Sequence, residues 1–510
     1  MVHLLRRTFA FRAASRRISH VVLRKSSANS STVTKTTIPL FSTANHASSL
    51  SAKLLQHHLS NSPITPDEDG IPFATPSRSL NFSSFTSLFA SADRSYEASL
   101  FRLGQTLFDE IELRLGKSVP TDIRNRVHGL RRKAALSSWL EDAVDPAVEA
   151  ALRADPSADV PNVAFTLLTG NQMEKAVKAA TDGSFFKLAT LISQAGGDWE
   201  FREDLKEQLQ IWTDQRIDAH IDEGVRKIYA LLAGLVDGVV EGSKGGGLEK
   251  CSDVDVVKGL DWKRVFGLHL WFSEPVDATV SQVFQVYDQL TRSAPQRVAR
   301  PLPWYSEQSS SPCQWNVPSA SATPDGLFSL IRLHAEPACS LSQTLTPLSF
   351  SSSPVDYTLP WHLYIILSRC MRVRDFADRG DPDHGDRNAR SDHSLSEEEE
   401  SETEGHSPSA DLLASSYAFQ LEELGMTQEA VFVLLHMEGS AGFVMCTGNG
   451  LSHANQELLC RREKAIKDLL ARSAPKLDEW MTRGIVGSLK IPVAWVNEAK
   501  VPGFLSLDMQ

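Results

Sequence analysis

A chain of 510 residues, 42% of them hydrophobic, can bury three or four ordinary cores or one long helical stack. Its formal charge of −11 argues against general nucleic-acid binding. Six scattered cysteines without a CxxC pair argue against a disulfide framework or zinc site, and no apolar run reaches the ~18 residues of a membrane span.

The charge is uneven, because residues 1–66 carry nine Lys or Arg and no Asp or Glu. The opening MVHLLRRTFAFRAASRRISHVVLRKSS is basic, rich in Ser and free of acids, the composition of a mitochondrial transit peptide. A disordered basic tail, or a start placed upstream of the real protein, explains the same residues. Residues 26–93 are rich in Ser, Thr, Asn and Pro and read as a tether with little regular structure. Residues 1–66 are therefore taken as a basic, Ser-rich segment and 67–93 as a linker.

Helical periodicity starts near Arg94, and the helical region is expected over 94–500 with a short tail at 501–510. Leu100, Leu103, Leu107, Phe108 and Ile111 fall on one stripe. A second helix is expected from Pro120 to about Asp142, with Leu130, Leu136, Trp139 and Leu140 in the core. From Val163 to Gln215, Gly170, Gly183 and Gly196–Gly197 separate AFTLL, MEKAVKAA, FFKLATLISQ and FREDLKEQLQIW, the spacing of successive antiparallel helices. VRKIYALLAGL at 225–235 and the element Val254 to Phe272 follow, then helices at 277–291, 325–335 and 359–374.

Loops are expected over about 293–323 and 378–409. The second is a solvated, acidic insertion containing SLSEEEESETE. Beyond it, Leu413, Tyr417, Leu421 and Leu424 form a stripe that ends at Gly425, where a left-handed cap favours glycine. The next helix, Ala430 to Met437, is apolar nearly all round, and such a hairpin needs neighbours to cover it. Helices at about 453–472, 476–483 and 492–499 complete an all-α, irregular helical stack, with Glu463 and Lys467 as an i,i+4 pair.

Little in this chain points to chemistry. GSKGGG at 242–247 lacks the glycine spacing and preceding strand of a phosphate-binding loop and reads as a flexible linker. Asp381, Asp383, His384, Asp386, Asp392 and His393 cluster in the acidic insertion, without the rigid frame that a metal site needs. His269 and His436 sit in apolar helices as core histidines, and Trp262, Trp271, Trp361 and Trp480 read as helix packing. Neither a GxSxG nor an HExxH motif appears. No catalytic, cofactor or metal residue is assigned, and no cofactor is expected. Ser394, Ser396 and Ser401, set among glutamates, are candidate acceptors for an acidophilic kinase.

Seven blocks in order resemble one family. They are FRLGQTLFDEI (101–111), AFTLLTGNQMEKAVKAATDGSFFKLATLISQAGG (164–197) with REDLKEQLQIW (202–212), LDWKRVFGLHLWF (260–272), VDYTLPWHLYIIL (355–367), SYAFQLEELGMTQEAVFVLLHME, REKAIKDLLAR (462–472) and LKIPVAWVNEAK (489–500). Over about residues 80–500 the chain is similar to the 96-kilodalton nucleoporin family. The resemblance implies a coatomer-like α-helical solenoid of trunk, crown and tail. It also implies a scaffold role without catalysis in the Y complex of the nuclear pore, in nucleocytoplasmic transport of mRNA and protein. Implied partners are the 107-kilodalton nucleoporin, other Y-complex members, and a β-propeller shared with the COPII coat. The family precursor's His-Phe-Ser cleavage motif is absent, and no strand segment to complete the propeller is evident upstream of residue 80. Residues 1–40 match nothing in the family, and the tail that follows VNEAK in its members is expected to be largely missing. The competing reading, led by the basic N-terminus, is a mitochondrially targeted helical-repeat adaptor or RNA-binding protein.

Overall fold

The structure, a computed structural model, describes residues 20–23, 33–36, 44–67, 70–116, 118–196, 198–244, 250–307, 323–378, 407–438 and 461–500, with side chains from residue 49 onward. Helices dominate, and the strands among the described residues form two short antiparallel pairs. The chain divides into two compact units: residues to Leu88 together with those from Ser340 onward, and Phe89–Cys339. The region expected as one helical domain over 94–500 is thus split, and its second part is joined by N-terminal residues.

In the N-terminal arm, β1 (His20–Leu23) pairs with β2 (Val33–Thr36), His20 opposite Thr36. Then come α1 (Ala44–Ser60), β3 (Ile64–Pro66) paired with β4 (Pro72–Ala74), and α2 (Phe82–Thr86). The expected tether is therefore largely ordered from residue 44. The reason is a stripe that composition hides: Ser51, Leu54, Leu55 and His58 recur at helical spacing and are all buried. The α2 cap is reciprocal, with Ser84 N–H donating to the Asn81 carboxamide oxygen and Asn81 N–H donating to Ser84 Oγ.

The middle unit runs through α3 (Tyr96–Phe108), α4 (Thr121–Ala154), α5 (Val160–Leu168), α6 (Met173–Asp182), α7 (Phe186–Ile192), α8 (Trp199–Asp214), α9 (Glu223–Leu232), α10 (Trp262–Leu268), α11 (Val280–Ser293), α12 (Trp304–Glu307) and α13 (Gly326–Ala335). Ser95, Asp159, Asp198, Asp222, Asp261, Thr279 and Asp325 each cap a helix by accepting backbone N–H bonds, which fixes where these helices start. Leu100, Leu103 and Leu107 are buried as expected, whereas α3 ends at Phe108 and leaves Ile111 outside the helix. Leu136, Trp139 and Leu140 are core residues, and Leu130 is half-buried.

Three local readings change. First, α4 continues past Asp142 and through Pro146 to Ala154. Buried Val144 and Val148 anchor that stretch, which outweighs the hydrogen bond that proline forfeits. Second, Val254 begins no helix. It bridges Val240 in antiparallel fashion, and the helix waits for its cap at Asp261. Third, Gly170 and Gly183 are not the left-handed residues of their turns; Asn171 (φ 57°) and Ser184 (φ 66°) are. A Cβ at Gly170 would lie 2.7 Å from Val148, and one at Gly183 would lie 2.6 Å from Val160. Close helix approach, not backbone freedom, calls for glycine there.

The C-terminal arm contains α14 (Leu341–Thr344), α15 (Pro347–Phe350), α16 (Thr358–Tyr364), α17 (Pro408–Glu423), α18 (Thr427–Leu434), α19 (Arg461–Ser473), α20 (Glu479–Arg483) and α21 (Val493–Lys500). A π-helical turn extends α16 to Cys370. On α17, Leu413, Tyr417 and Leu421 are buried. Gly425 adopts φ +79°, and Met426 N–H closes the turn onto the Leu421 carbonyl at 2.8 Å. Gly425→Ala is expected to cost about 1–2 kcal/mol, because an L side chain is strained in that conformation. The measurement is the urea midpoint, and an unchanged value would contradict the assignment.

Candidate functional site

Buried ionisable groups are the usual markers of chemistry, and several of those here have a structural occupation. Asp218 accepts from the Ser243 backbone N–H and hydroxyl, both at 2.7 Å, and these hydrogen bonds hold its carboxyl below the ordinary value against the opposing effect of burial. Gly242 N–H donates to Asp253, and Lys244 pairs with Glu241 at 2.6 Å. The start of GSKGGG is thus committed to carboxylates, the opposite of an anion cradle; residues 245–249 lie outside the described residues. His269 is fully buried, and burial lowers it to about 4. His436 is equally interior. The six Asp and His residues of the acidic insertion and Ser394, Ser396 and Ser401 lie outside the described residues.

One charged cluster clasps the terminal unit. Arg462, 1% exposed, donates to the Met437 carbonyl at 2.9 Å and to Asp67, and its guanidinium lies 4.8 Å from the Phe73 ring centre. Arg369 approaches the same ring and pairs with Glu438. Lys490 Nζ donates to the Ile64 carbonyl at 2.6 Å, and Ala74 N–H donates to the Leu435 carbonyl at 2.9 Å. The β3–β4 hairpin is thereby fastened to α18, α19 and the turn before α21. No sequence signal reveals this clasp, because its members are far apart in the chain.

Several large apolar side chains stand exposed on the surface. Leu412 and Phe419, seven residues apart on α17, project outward while Leu413 and Tyr417 face the core. Trp262 and Trp361 are buried as expected and Trp271 is half-buried, but Trp480 is 73% exposed. It occupies the five-residue α20, too short to turn every side inward. In the middle unit, Phe186 is 63% exposed and Trp199 is 72% exposed, each at the start of its helix. Isolated exposed apolar residues are common, but exposed aromatics at the ends of successive helices are the anchors that protein partners use. Among the described residues, no helix is long and apolar enough to cross a membrane.

Comparison with known proteins adds the family. The family described as "Nuclear protein 96" matches residues 162–502. The chain is 26% identical over 452 residues to nucleoporin nup189 of Schizosaccharomyces pombe, covering 88% of this chain and 22% of that protein. It is 30% identical over 237 residues to nuclear pore complex protein NUP96 of Arabidopsis thaliana, covering 46% and 21%. It is 25% identical over 382 residues to nuclear pore complex protein Nup98-Nup96 of Dictyostelium discoideum, covering 72% and 15%. The chain thus spans about a fifth or less of the length of these relatives.

Proposed function

Because the chain belongs to the Nuclear protein 96 family, we propose that it is a structural component of the nuclear pore complex at the nuclear envelope, acting through helix-face contacts and not through catalysis. In this role it supports the movement of mRNA and protein between nucleus and cytoplasm. The observation that carries the reading is the family match running from α5 through α21, across both compact units. The clasped terminal unit and the capped helices of the middle unit suit a rigid scaffold element.

The partners follow as parts of the same proposal. The 107-kilodalton nucleoporin and other Y-complex members would dock on exposed helix ends, with Phe186 and Trp199 as first anchors. The antiparallel pair β1–β2 supplies strands upstream of residue 80, where the sequence had suggested none, and so favours a contact with the β-propeller shared with the COPII coat. Phosphorylation of Ser394, Ser396 and Ser401 would tune a partner contact through added charge, and mass mapping of the purified protein tests it.

Phe186→Ser combined with Trp199→Ser should shift stability by less than about 0.5 kcal/mol, as exposed sites do. The same pair should weaken co-purification with the 107-kilodalton partner at least about tenfold, the typical effect of losing one anchor. Retained binding would remove these residues from the interface. Cellular location tests the broader reading. A fluorescent fusion should label the nuclear rim, whereas a tubular network dependent on residues 1–30 would overturn it in favour of mitochondrial targeting.

A further inference from the structure

Helix α1 carries His58 into the interior of the terminal unit, where it meets His362 of α16 and His436 just beyond α18. All three are between 0% and 3% exposed. His58 stacks on His362 with ring centres 4.8 Å apart and planes 19° from parallel, and the His436 ring centre lies 6.4 Å away. Aromatic rings close the rest of the chamber: Phe85 at 4.9 Å from His58, Trp361 at 5.2 Å from His58, and Tyr417 at 5.9 Å from His362.

The ring nitrogens are almost all idle. His436 Nδ1 donates to the Phe432 carbonyl at 3.0 Å. Both nitrogens of His58, both of His362 and Nε2 of His436 have no hydrogen-bond partner among the described residues. Nor do the rings converge as ligands, since no group of three His, Cys, Asp or Glu among the described residues could hold a metal ion. Among the described residues, the ionisable groups facing the chamber offer a proton no counter-charge. α1 adds His57, whose Nε2 meets Ser84 Oγ of α2 at 3.2 Å. The other ionisable side chain of α16, Tyr364, packs on Phe376, and the turn after the helix adds Arg369, another cation. α17 adds the neutral Tyr417, and α18 presents Phe432. Among the described residues, the charges that act on the three rings are all histidine or arginine, and none is a carboxylate.

A buried cation without a partner is among the costliest defects a fold can carry. We propose that these three histidines form an acid-operated lock: α1 stays docked on α16–α18 only while all three rings are neutral, and protonation releases it. Three of the chamber's contacts are on α1 or α2, so the released piece is the segment that includes α1 and α2.

Burial is the main reason all three rings fall below the ordinary 6.5, His362 and His436 to about 3; neighbouring histidines add to this for His58 and His362, and Arg369 adds to it for His436. The opened rings therefore take up protons from about pH 6.5 downward, while in the docked state they resist, His362 and His436 until about pH 3. Docking is at full strength above pH ~6.5. It weakens up to about tenfold per ring for each pH unit below that, until the folded values are reached.

The test is peptide-level hydrogen exchange of the full chain at pH 7.5 and 5.0, corrected for intrinsic exchange rates. Opening of residues 49–60 should rise on the order of ten-thousandfold at pH 5.0, the product of about thirtyfold from each of the three rings. Each of the single variants His58→Phe, His362→Met and His436→Leu should reduce that ratio by about thirtyfold, the contribution of one ring at 1.5 pH units below 6.5. Should one variant fail to fold, the others and the wild-type ratio still decide. An opening ratio near one in the wild type, or one unchanged by all folded variants, would overturn the lock.

Discussion

Arg462→Ala should lower the stability of the terminal unit by about 3–5 kcal/mol, the summed cost of a buried cation's hydrogen bonds, its ring contact and its pairing with a partly buried carboxylate. The side chain is 1% exposed and holds three different things at once: the Asp67 carboxylate, the Met437 carbonyl and the face of Phe73. Alanine leaves the carbonyl without its donor and the hairpin residue Asp67 without its buried cation. It also forfeits the ring contact, about 1–2 kcal/mol in a desolvated site. Arg462→Lys keeps the charge but not the planar fork, so it should recover less than half of the loss. Urea unfolding with hydrogen exchange resolved by unit is the measurement. A loss below about 1 kcal/mol would mean that the clasp closes nothing.

Asp325→Ala should destabilise the middle unit by a similar amount, about 3–5 kcal/mol. This carboxylate is 1% exposed and caps α13 through Leu327 N–H at 3.1 Å. It also accepts from the Tyr96 hydroxyl at 2.9 Å and is hydrogen-bonded by the Trp262 side chain. Losing the cap costs about 1 kcal/mol, and each buried donor left behind costs about 1–3 kcal/mol. Burial raises the Asp325 carboxyl above its ordinary value, while Lys263 and the donors pull it down. Because the folded value is raised, its ionised form strains the fold at neutral pH, and the strain eases as pH falls. Tyr96→Phe removes a single donor and should cost only about 1 kcal/mol. Equal losses for Asp325→Ala and Tyr96→Phe would deny the carboxylate its central place.

Much of the helical frame could be read from the residues alone. Periodicity placed α5 to α9, and the hairpin at Gly425 has the cap that its leucine stripe implied. The ordered blocks by themselves indicated the family. What stayed hidden has a common physical cause. Ser51, Leu54, Leu55 and His58 lie in a segment whose Ser, Thr and Asn content resembles a tether, so composition masked their periodicity. Val254 has the apolar neighbours of a helix but pairs with Val240, a partner that no local window contains. Arg462 and His362 look like a surface cation and an isolated helical histidine. Their roles depend on residues hundreds of positions away, Asp67 in one case and His58 in the other.

The terminal unit joins residues before Leu88 to residues after Ser340, and its consequence appears during synthesis. At about 5–20 residues per second, the ribosome needs on the order of tens of seconds to make Phe89–Cys339 and then the helices that receive α1. The middle unit has all its contacts available as soon as it emerges, so it can fold while the first helix still waits. During that interval Leu54, Leu55 and Phe85 have no final partners, and the nascent chain presents an apolar surface that the finished protein never shows. Holding that surface out of trouble is a task for chaperones, and the demand lasts as long as the gap takes to translate.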